Sequence, residues 1–393
     1  MAVTKRKLSG YKKKAKPRRS KKQTGKRRIL SRKPAKRQRN QRKYGTHRAI
    51  AHSRLLRQAA SLRQPAGQEL AWAGQAYAAG QLAAKQRLGA ESGGHQAVID
   101  AALQQSWTEW FSAHKPPGMS WLAYTKASSR FASGFAPEHS QADKERILLP
   151  TAKSVAAIVC VKNEEETISM VLKELLRIPF HELIFIVNGS TDGSFRSIRQ
   201  CPKTMILHYP EPLGHDVGRA LGAKLSQADI LLFLDGDIPI LAEKLLPFIH
   251  AVEQGMDIAL NDISPFLPVF SRRDHVSKMK QFLNRTVCGS DLGVSSMTAI
   301  PHAVSRRAIE TLGTRELMVP PKAQALARQH GLKVGAPCSV DVISSNKVRD
   351  TNSGPGNKMH DFIIGDHLEA LNAAMERSGA RLGFPDTIRN RIS

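Results

Sequence analysis

Two carboxylates flank a glycine in Asp235-Gly236-Asp237, directly after the apolar run Ile230-Leu231-Leu232-Phe233-Leu234. Residues two apart on an extended chain point the same way, so the pair offers hard oxygen to one side. That donor set suits Mg²⁺ or Mn²⁺, ions that bridge the phosphates of a nucleotide diphosphate. Taken alone, an acidic pair in a loop reads as ordinary surface. What distinguishes this one is its place at the end of a strand-length run, with other polar motifs ending other such runs.

The elements that must position it start at Ser154, where short apolar runs begin to alternate with helical patterns. Val155–Val161 reads as a buried strand, followed by Asn163 as helix N-cap and by Glu164, Glu165 and Glu166 in the first turn, where carboxylates favour the helix dipole. Ile168, Val171, Leu172 and Leu175 form one helical face, and Pro179 ends the element. Leu183–Val187 is a second strand, closed by the turn-forming Asn188-Gly189-Ser190-Thr191-Asp192-Gly193. A helix fits 216–227, and a third strand fits Ile230–Leu234. Strand–helix–strand alternation predicts a mostly parallel α/β sheet covered on both faces, with ligands at the carboxyl ends of the strands. All three polar motifs fall there.

Four motifs in order resemble the front half of a family-2-type glycosyltransferase of the GT-A fold. They are Asn163-Glu164-Glu165 after a strand, the 188–193 turn, Gly214-His215-Asp216-Val217-Gly218-Arg219 opening a helix, and Asp235-Gly236-Asp237. The resemblance covers Val155 to about Pro239. It implies that the first two strand ends, with Val161, Asn163, Glu164, Asn188, Gly189, Ser190 and Asp192, hold the nucleotide of a nucleotide-diphosphate sugar. It implies that Asp237, helped by Asp235, binds the metal and diphosphate, with a sugar passing to a hydroxyl acceptor in cell-surface or envelope glycan synthesis. The family usually places an Asp where this chain has Val187, which weakens the case for a uridine nucleotide in particular; Asn188 is the candidate substitute.

Arg219 is a candidate diphosphate ligand, because a guanidinium binds phosphate bidentately. Gly214, Gly218 and Gly222 sit four apart, which permits close packing of a helix. The polar stretch Ser345–His360 reads as a mobile loop that closes over the donor, bringing Arg349 and Lys347 to the diphosphate and His360 to the metal. Inverting relatives need an Asp or Glu general base, and Asp291 and Asp366 are the candidates. Asp366 also reads as the cap of a helix over Asp366–Met375. No carboxylate follows Glu316 near Pro320-Pro321-Lys322, so the stereochemical course stays open. Neither a G-x-x-x-x-G-K-[ST] loop nor G-x-G-x-x-G is present, which excludes a P-loop or dinucleotide-binding reading.

The net charge of +27 belongs to one end of the chain. Residues 1–60 hold 24 Lys and Arg and no Asp or Glu, whereas the other 333 residues hold 36 basic and 33 acidic ones. Like charges at that density repel, so 1–60 is expected as a disordered basic arm, with a helix available to its end from about His47. It suits nucleic acid, an anionic membrane or an acidic polymer. A second reading of the whole chain is therefore a polyanion-binding protein with a non-catalytic scaffold, although only Tyr11 and Tyr44 interleave the cations for base stacking. Residues 61–150 are Ala- and Gln-rich and read as a helical module or linker. Leu70, Ala73, Tyr77 and Ala78 mark one helical face there, and Val98, Ala101, Ala102, Trp107 and Trp110 another. Four cysteines without a C-x-x-C pair predict reduced thiols. The lack of a signal peptide or an apolar run of about 18 residues predicts a cytoplasmic, non-processive enzyme, peripheral to the membrane at most.

Overall fold

The computed structural model describes residues 35–88, 96–135, 146–343 and 358–384. The chain divides into two units, residues 1–42 and 43–393. Of the first, only the start of helix α1 (Ala35–Ala60) falls among the described residues.

Seven strands build one sheet in the order β3-β2-β1-β4-β6-β5-β7. They are β1 (Val155–Val161), β2 (Glu182–Asn188), β3 (Met205–Tyr209), β4 (Ile230–Asp235), β5 (Ile258–Asn261), β6 (His302–Ser305) and β7 (Val334–Cys338). All neighbours run parallel except β6, which is antiparallel to β4 and β5. After β1, the chain adds β2 and β3 on one side and then crosses to β4 on the other. That switch opens a crevice at the carboxyl ends of β1 and β4.

The expected α/β sheet, covered on both faces, is what the chain forms. Side chains alternate along β1: Val155, Ala157, Val159 and Val161 join one buried cluster, and Ile158 joins the other. On the second face lies α7 (Val217–Leu225). A Cβ on Gly218 would stand 2.9 Å from the Cys160 sulfur, and one on Gly222 would strike the Ile158 side chain. The four-residue glycine spacing therefore serves close helix–strand approach.

Two boundaries differ from the sequence reading. The helix after β1 is α5 (Ile168–Leu175), and its N-cap is Thr167. Asn163 adopts a left-handed conformation at φ 58° instead, and Glu164–Glu166 lie in the turn before the helix. Asn is among the few residues that enter this region readily, so its type fitted both roles. In the C-terminal part, α12 spans Lys358–Ser378, so Asp366 lies inside a helix and caps nothing.

Helices α2 (Gly67–Leu88), α3 (Gln96–His114) and α4 (Trp121–Phe135) form the helical part expected before the sheet. Its inner faces match the periodicity only in part: Ala73 and Trp107 are buried as marked, but Leu70, Tyr77 and Val98 are exposed, while Trp72, Ala76, Leu103 and Phe111 are buried instead. Gly80, which weakens a helix by propensity, lies against the Phe131 carbonyl, and Gly134 against that of Tyr77; the two glycines let α2 and α4 touch backbone to backbone. Trp107 Nε1 donates to the Tyr124 hydroxyl at 2.8 Å, and that hydroxyl donates to the Leu148 carbonyl at 2.7 Å. Their apolar side chains continue without a break into the α5 face of the sheet. The basic stretch also ends earlier than expected: Ala51, Arg54 and Gln58 of α1 are buried.

Glu69 anchors the helical part. Its carboxylate accepts from Arg63 at 2.7 and 3.0 Å, from the Ala66 N–H at 2.7 Å, and from the Ser120 N–H. Burial alone would raise its pKa, but these donors outweigh it and hold the group at about 2. A carboxyl depressed below its usual range of about 4 contributes stability above that range and loses it as pH falls through the folded value. Glu69→Gln is expected to lower the melting temperature by several degrees at pH 6. The gap to the unaltered protein should narrow as pH falls from 4 towards 2, which melting curves across that range will show.

Candidate active site

The carboxyl ends of β1, β2 and β4 enclose a cleft of about 390 Å³. Asp235 and Asp237 stand on its β4 side, Val161 and Glu164 on its β1 side, and Asn188 at the end of β2. The β4 turn is fastened from behind: the Gly236 N–H donates to the Cys160 carbonyl at 2.8 Å, and the buried Thr167 hydroxyl donates to the Gly236 carbonyl at 2.8 Å.

The turn after β1 and the turn after β2 are stitched to each other. The Asn163 N–H donates to Ser190 Oγ at 3.1 Å, and Asn163 Oδ1 accepts from the Thr191 N–H at 2.8 Å. Asp192 accepts from the N–H groups of Glu165 and Ser194, both at 3.0 Å, and the Glu164 N–H donates to Ser194 Oγ at 2.8 Å. Asn163, Ser190 and Asp192, read as donor ligands, thus spend polar groups on bracing the wall. Glu164 is buried and lines the cleft. Asn188 accepts from the Leu213 N–H at 2.8 Å and donates to the Gly214 carbonyl at 2.9 Å, holding the loop that enters α7. Gly189, at φ 68°, packs so closely on Pro212 that a Cβ would stand 2.9 Å away. Val187 is wholly buried.

Arg219 is buried at 5% exposure, lines the cleft and lies against carboxylates. Its guanidinium pairs with Asp216 at 3.1 Å and Asp235 at 3.7 Å and donates to the Met297 carbonyl at 3.0 Å. Burial opposes the charge, yet Asp216, Asp235 and Cys160 outweigh it and raise the pKa. In this arrangement Arg219 orients Asp235.

Several groups at this end carried no signal in the sequence. His302, stacked on Phe233 at 5.0 Å, is held neutral, its pKa pushed down to about 3 by burial and by the charge of Arg219. Lys280, on α9 (His275–Leu283), is lowered to about 8 by burial, with Asp274 opposing and Arg219 assisting. Neither residue lies in a recognisable motif. Their role follows from packing across the sheet.

The two candidate bases part company. Asp366 of α12 feels the cleft-lining Asp216, and burial, Asp216 and Glu369 raise it to about 6. Asp291 is largely exposed, pairs with Arg328 of α11 (Pro320–Gln329) at 3.1 Å, and does not line the cleft. Glu316 pairs with Lys322 at 3.1 Å. His360 is exposed in the first turn of α12, where its charge acts on Asp274, the N-cap of α9. Among the described residues no third His, Cys, Asp or Glu joins Asp235 and Asp237 in a metal-binding group. Arg349, Lys347 and most of the stretch Ser345–His360 lie outside the described residues. Cys160, Cys201 and Cys338 are free thiols, and among the described residues no helix is long and apolar enough to cross a membrane.

Comparisons with known proteins bear on this site. Among curated proteins none matches the chain. Among solved structures, glucosyl-3-phosphoglycerate synthase from Mycobacterium tuberculosis, in complex with Mn²⁺, uridine diphosphate and phosphoglyceric acid, is 18% identical with a TM-score of 0.42. That match covers 60% of this chain and 80% of the other. A mannosyltransferase from Pyrobaculum calidifontis, in complex with GDP-mannose and Mn²⁺, is 14% identical with a TM-score of 0.37, over 57% and 76% of the two chains. Residues 156–309, from β1 through β6 and with them the whole wall of Asn163, Asn188, Arg219, Asp235 and Asp237, match the family model of glycosyl transferase family 2. Over those residues the chain is similar to glycosyl transferase family 2.

Proposed function

We propose that the chain moves one sugar from a nucleotide-diphosphate sugar to a hydroxyl acceptor in the cleft between β1, β2 and β4. The observation that carries this reading is the pair Asp235 and Asp237 on the rim of that cleft, at the switch point of the sheet. The pair fits Mg²⁺ or Mn²⁺. Two hard carboxylates on one turn would supply oxygen ligands to such an ion. When bound, the ion supplies Lewis-acid stabilisation of the charge on the departing diphosphate.

The chain's own residues do the rest. Asp237 and Asp235 hold the ion, and Arg219 keeps Asp235 turned to the cleft. Asn163, Ser190 and Asp192 keep the nucleotide wall rigid, and Val161, Asn188 and Gly189 shape it largely through backbone. Asp366 takes the acceptor proton. At about 6 its pKa leaves it ionised at neutral pH and still basic enough to accept a proton in the transition state. Asp291, tied to Arg328 away from the cleft, is set aside in that role. The basic stretch at the N-terminus localises the enzyme on a polyanion: nucleic acid, an anionic membrane, or an acidic polymer such as an envelope glycan.

Asp237→Ala should reduce turnover at least about a hundredfold, in line with loss of one preorganised charge stabiliser, while the melting temperature stays near its starting value. Full metal-dependent activity in that variant would remove the assignment. The donor is found by thermal shift with UDP-, GDP-, ADP- and dTDP-sugars, with and without Mn²⁺; a bound donor at about a hundred times its Kd adds about 2.7 kcal/mol.

A base must be deprotonated to act, so kcat/KM should fall as pH drops below about 6, the raised value of Asp366. Asp366→Asn should lower the rate at pH 7 and abolish that acidic limb. An unchanged limb in the variant would assign the base elsewhere.

A further inference from the structure

Helix α1 is turned the wrong way round for a helix that packs by apolar burial. Between His47 and Ala60 its buried residues are Ala51, Arg54 and Gln58, while Ile50 and Leu56 are 44% and 60% exposed. His47, Ala51, Arg54 and Gln58 are spaced four, three and four apart, so they share one face. Each polar member of that face meets a loop at the carboxyl edge of the sheet. His47 Nδ1 lies 3.4 Å from Glu166, in the turn after β1. Gln58 donates to the Pro239 carbonyl at 3.3 Å and accepts from the Leu241 N–H at 2.8 Å, closing the loop that leaves Asp237. Arg54, one turn before Gln58, is 4% exposed and lies in the field of Asp237 and of Asp341, which follows β7.

A buried guanidinium is costly to desolvate and persists where carboxylates compensate it. A helix selected only for packing would turn Ile50 and Leu56 inward. This one instead turns inward a cation whose charge acts on Asp237 and an amide that fixes the loop behind it. Such a cation repels a divalent ion at Asp237 until an anionic donor is present to offset the added charge.

We propose that Arg54, supplied by the N-terminal helix, tunes the donor site by weakening binding of a divalent ion at Asp237 in the absence of nucleotide diphosphate. The proposal rests on the reading of Asp237 as a metal ligand. It makes α1 a working part of the transferase, with metal binding dependent on the donor.

The test is titration calorimetry of the full chain with Mn²⁺ alone, at fixed pH and ionic strength, for the unaltered protein, Arg54→Lys, Arg54→Gln and Asp237→Ala, each with its melting temperature. Arg54→Gln is expected to bind Mn²⁺ about tenfold more tightly, because the nearby positive charge is gone. Arg54→Lys keeps the charge and should bind like the unaltered protein, a rescue that a purely packing role would not give. Asp237→Ala should lose the site. If binding depends on Asp237 but Arg54→Gln binds Mn²⁺ with unchanged or weaker affinity, the role of Arg54 is overturned while the metal assignment stands. If Asp237→Ala binds Mn²⁺ as well as the unaltered protein does, the metal assignment falls and the role of Arg54 falls with it.

Discussion

A single buried guanidinium sets the terms for the floor of the cleft. Arg219 is held by Asp216, Asp235 and the Met297 carbonyl, and so it ties α7 to β4 and to the chain just before β6. A charge buried to this depth is tolerable only when paired. The pairing needs α7 close to the sheet, which the side-chain-free faces of Gly218 and Gly222 allow. It also needs Asp216 at a left-handed φ of 56°, a conformation Asp tolerates better than most residues. Arg219 in turn governs its neighbours' ionisation. It adds to burial in keeping His302 neutral and in drawing Lys280 down to about 8. The carboxylate of Asp235 is thus fixed by a network whose other members, Arg219 and Asp216, line the same cleft.

The parts of the fold legible in the sequence were those governed by local pattern. Strands β1, β2 and β4 read correctly because each is a continuous apolar run with a turn after it. The α5 face read correctly because Ile168, Val171, Leu172 and Leu175 keep a helical period and are buried. The glycine spacing of α7 was readable as close packing because nothing else explains small residues four apart. What failed did so where one residue type serves two geometries, or where a partner distant in sequence decides. Asn163 looked like a cap and is a left-handed corner. Leu70 and Tyr77 looked like an inner face, yet Gly80 and Gly134 rotate the α2–α4 contact so that Trp72 and Ala76 face inward. Arg219 was read by its chemistry as a phosphate ligand, and only the fold shows Asp216 and Asp235 claiming it first.

The motif residues also divide by role in a way spacing could not show. The side chains of Asn163, Ser190 and Asp192 accept from backbone N–H groups across the two turns: Thr191, Asn163, Glu165 and Ser194. Buried or half-buried loop backbone must find partners somewhere, and here the short polar side chains of two adjacent strand ends supply them. That leaves the cleft-facing chemistry to fewer groups, chiefly Asp235 and Asp237. A rigid wall and a small reactive set are two consequences of one arrangement. Loops braced by their own side chains keep a bound nucleotide from adapting its position, so the sugar's placement is set by the turn geometry.

The distribution of cations follows from the same constraint. Four carboxylates, Asp216, Asp235, Asp237 and Asp366, belong to one end of the sheet, and the pKa of Asp366 is raised by burial first and then by Asp216 and Glu369. The fold answers with Arg219 from α7 and Arg54 from α1, two cations drawn from widely separated points in the chain. Neither is a flexible surface charge: both are buried. A pendant lysine in water would screen these carboxylates weakly, whereas a buried cation acts through a low dielectric and in one direction. Compensation of this kind can be tuned to the site only if the elements carrying it are firmly docked. That requirement explains why α1 exposes Ile50 and Leu56 and turns Arg54 and Gln58 inward: its docking is specified by polar contacts to the loop it serves, and a slip of one residue along the helix would break both hydrogen bonds of Gln58 together with the placement of Arg54.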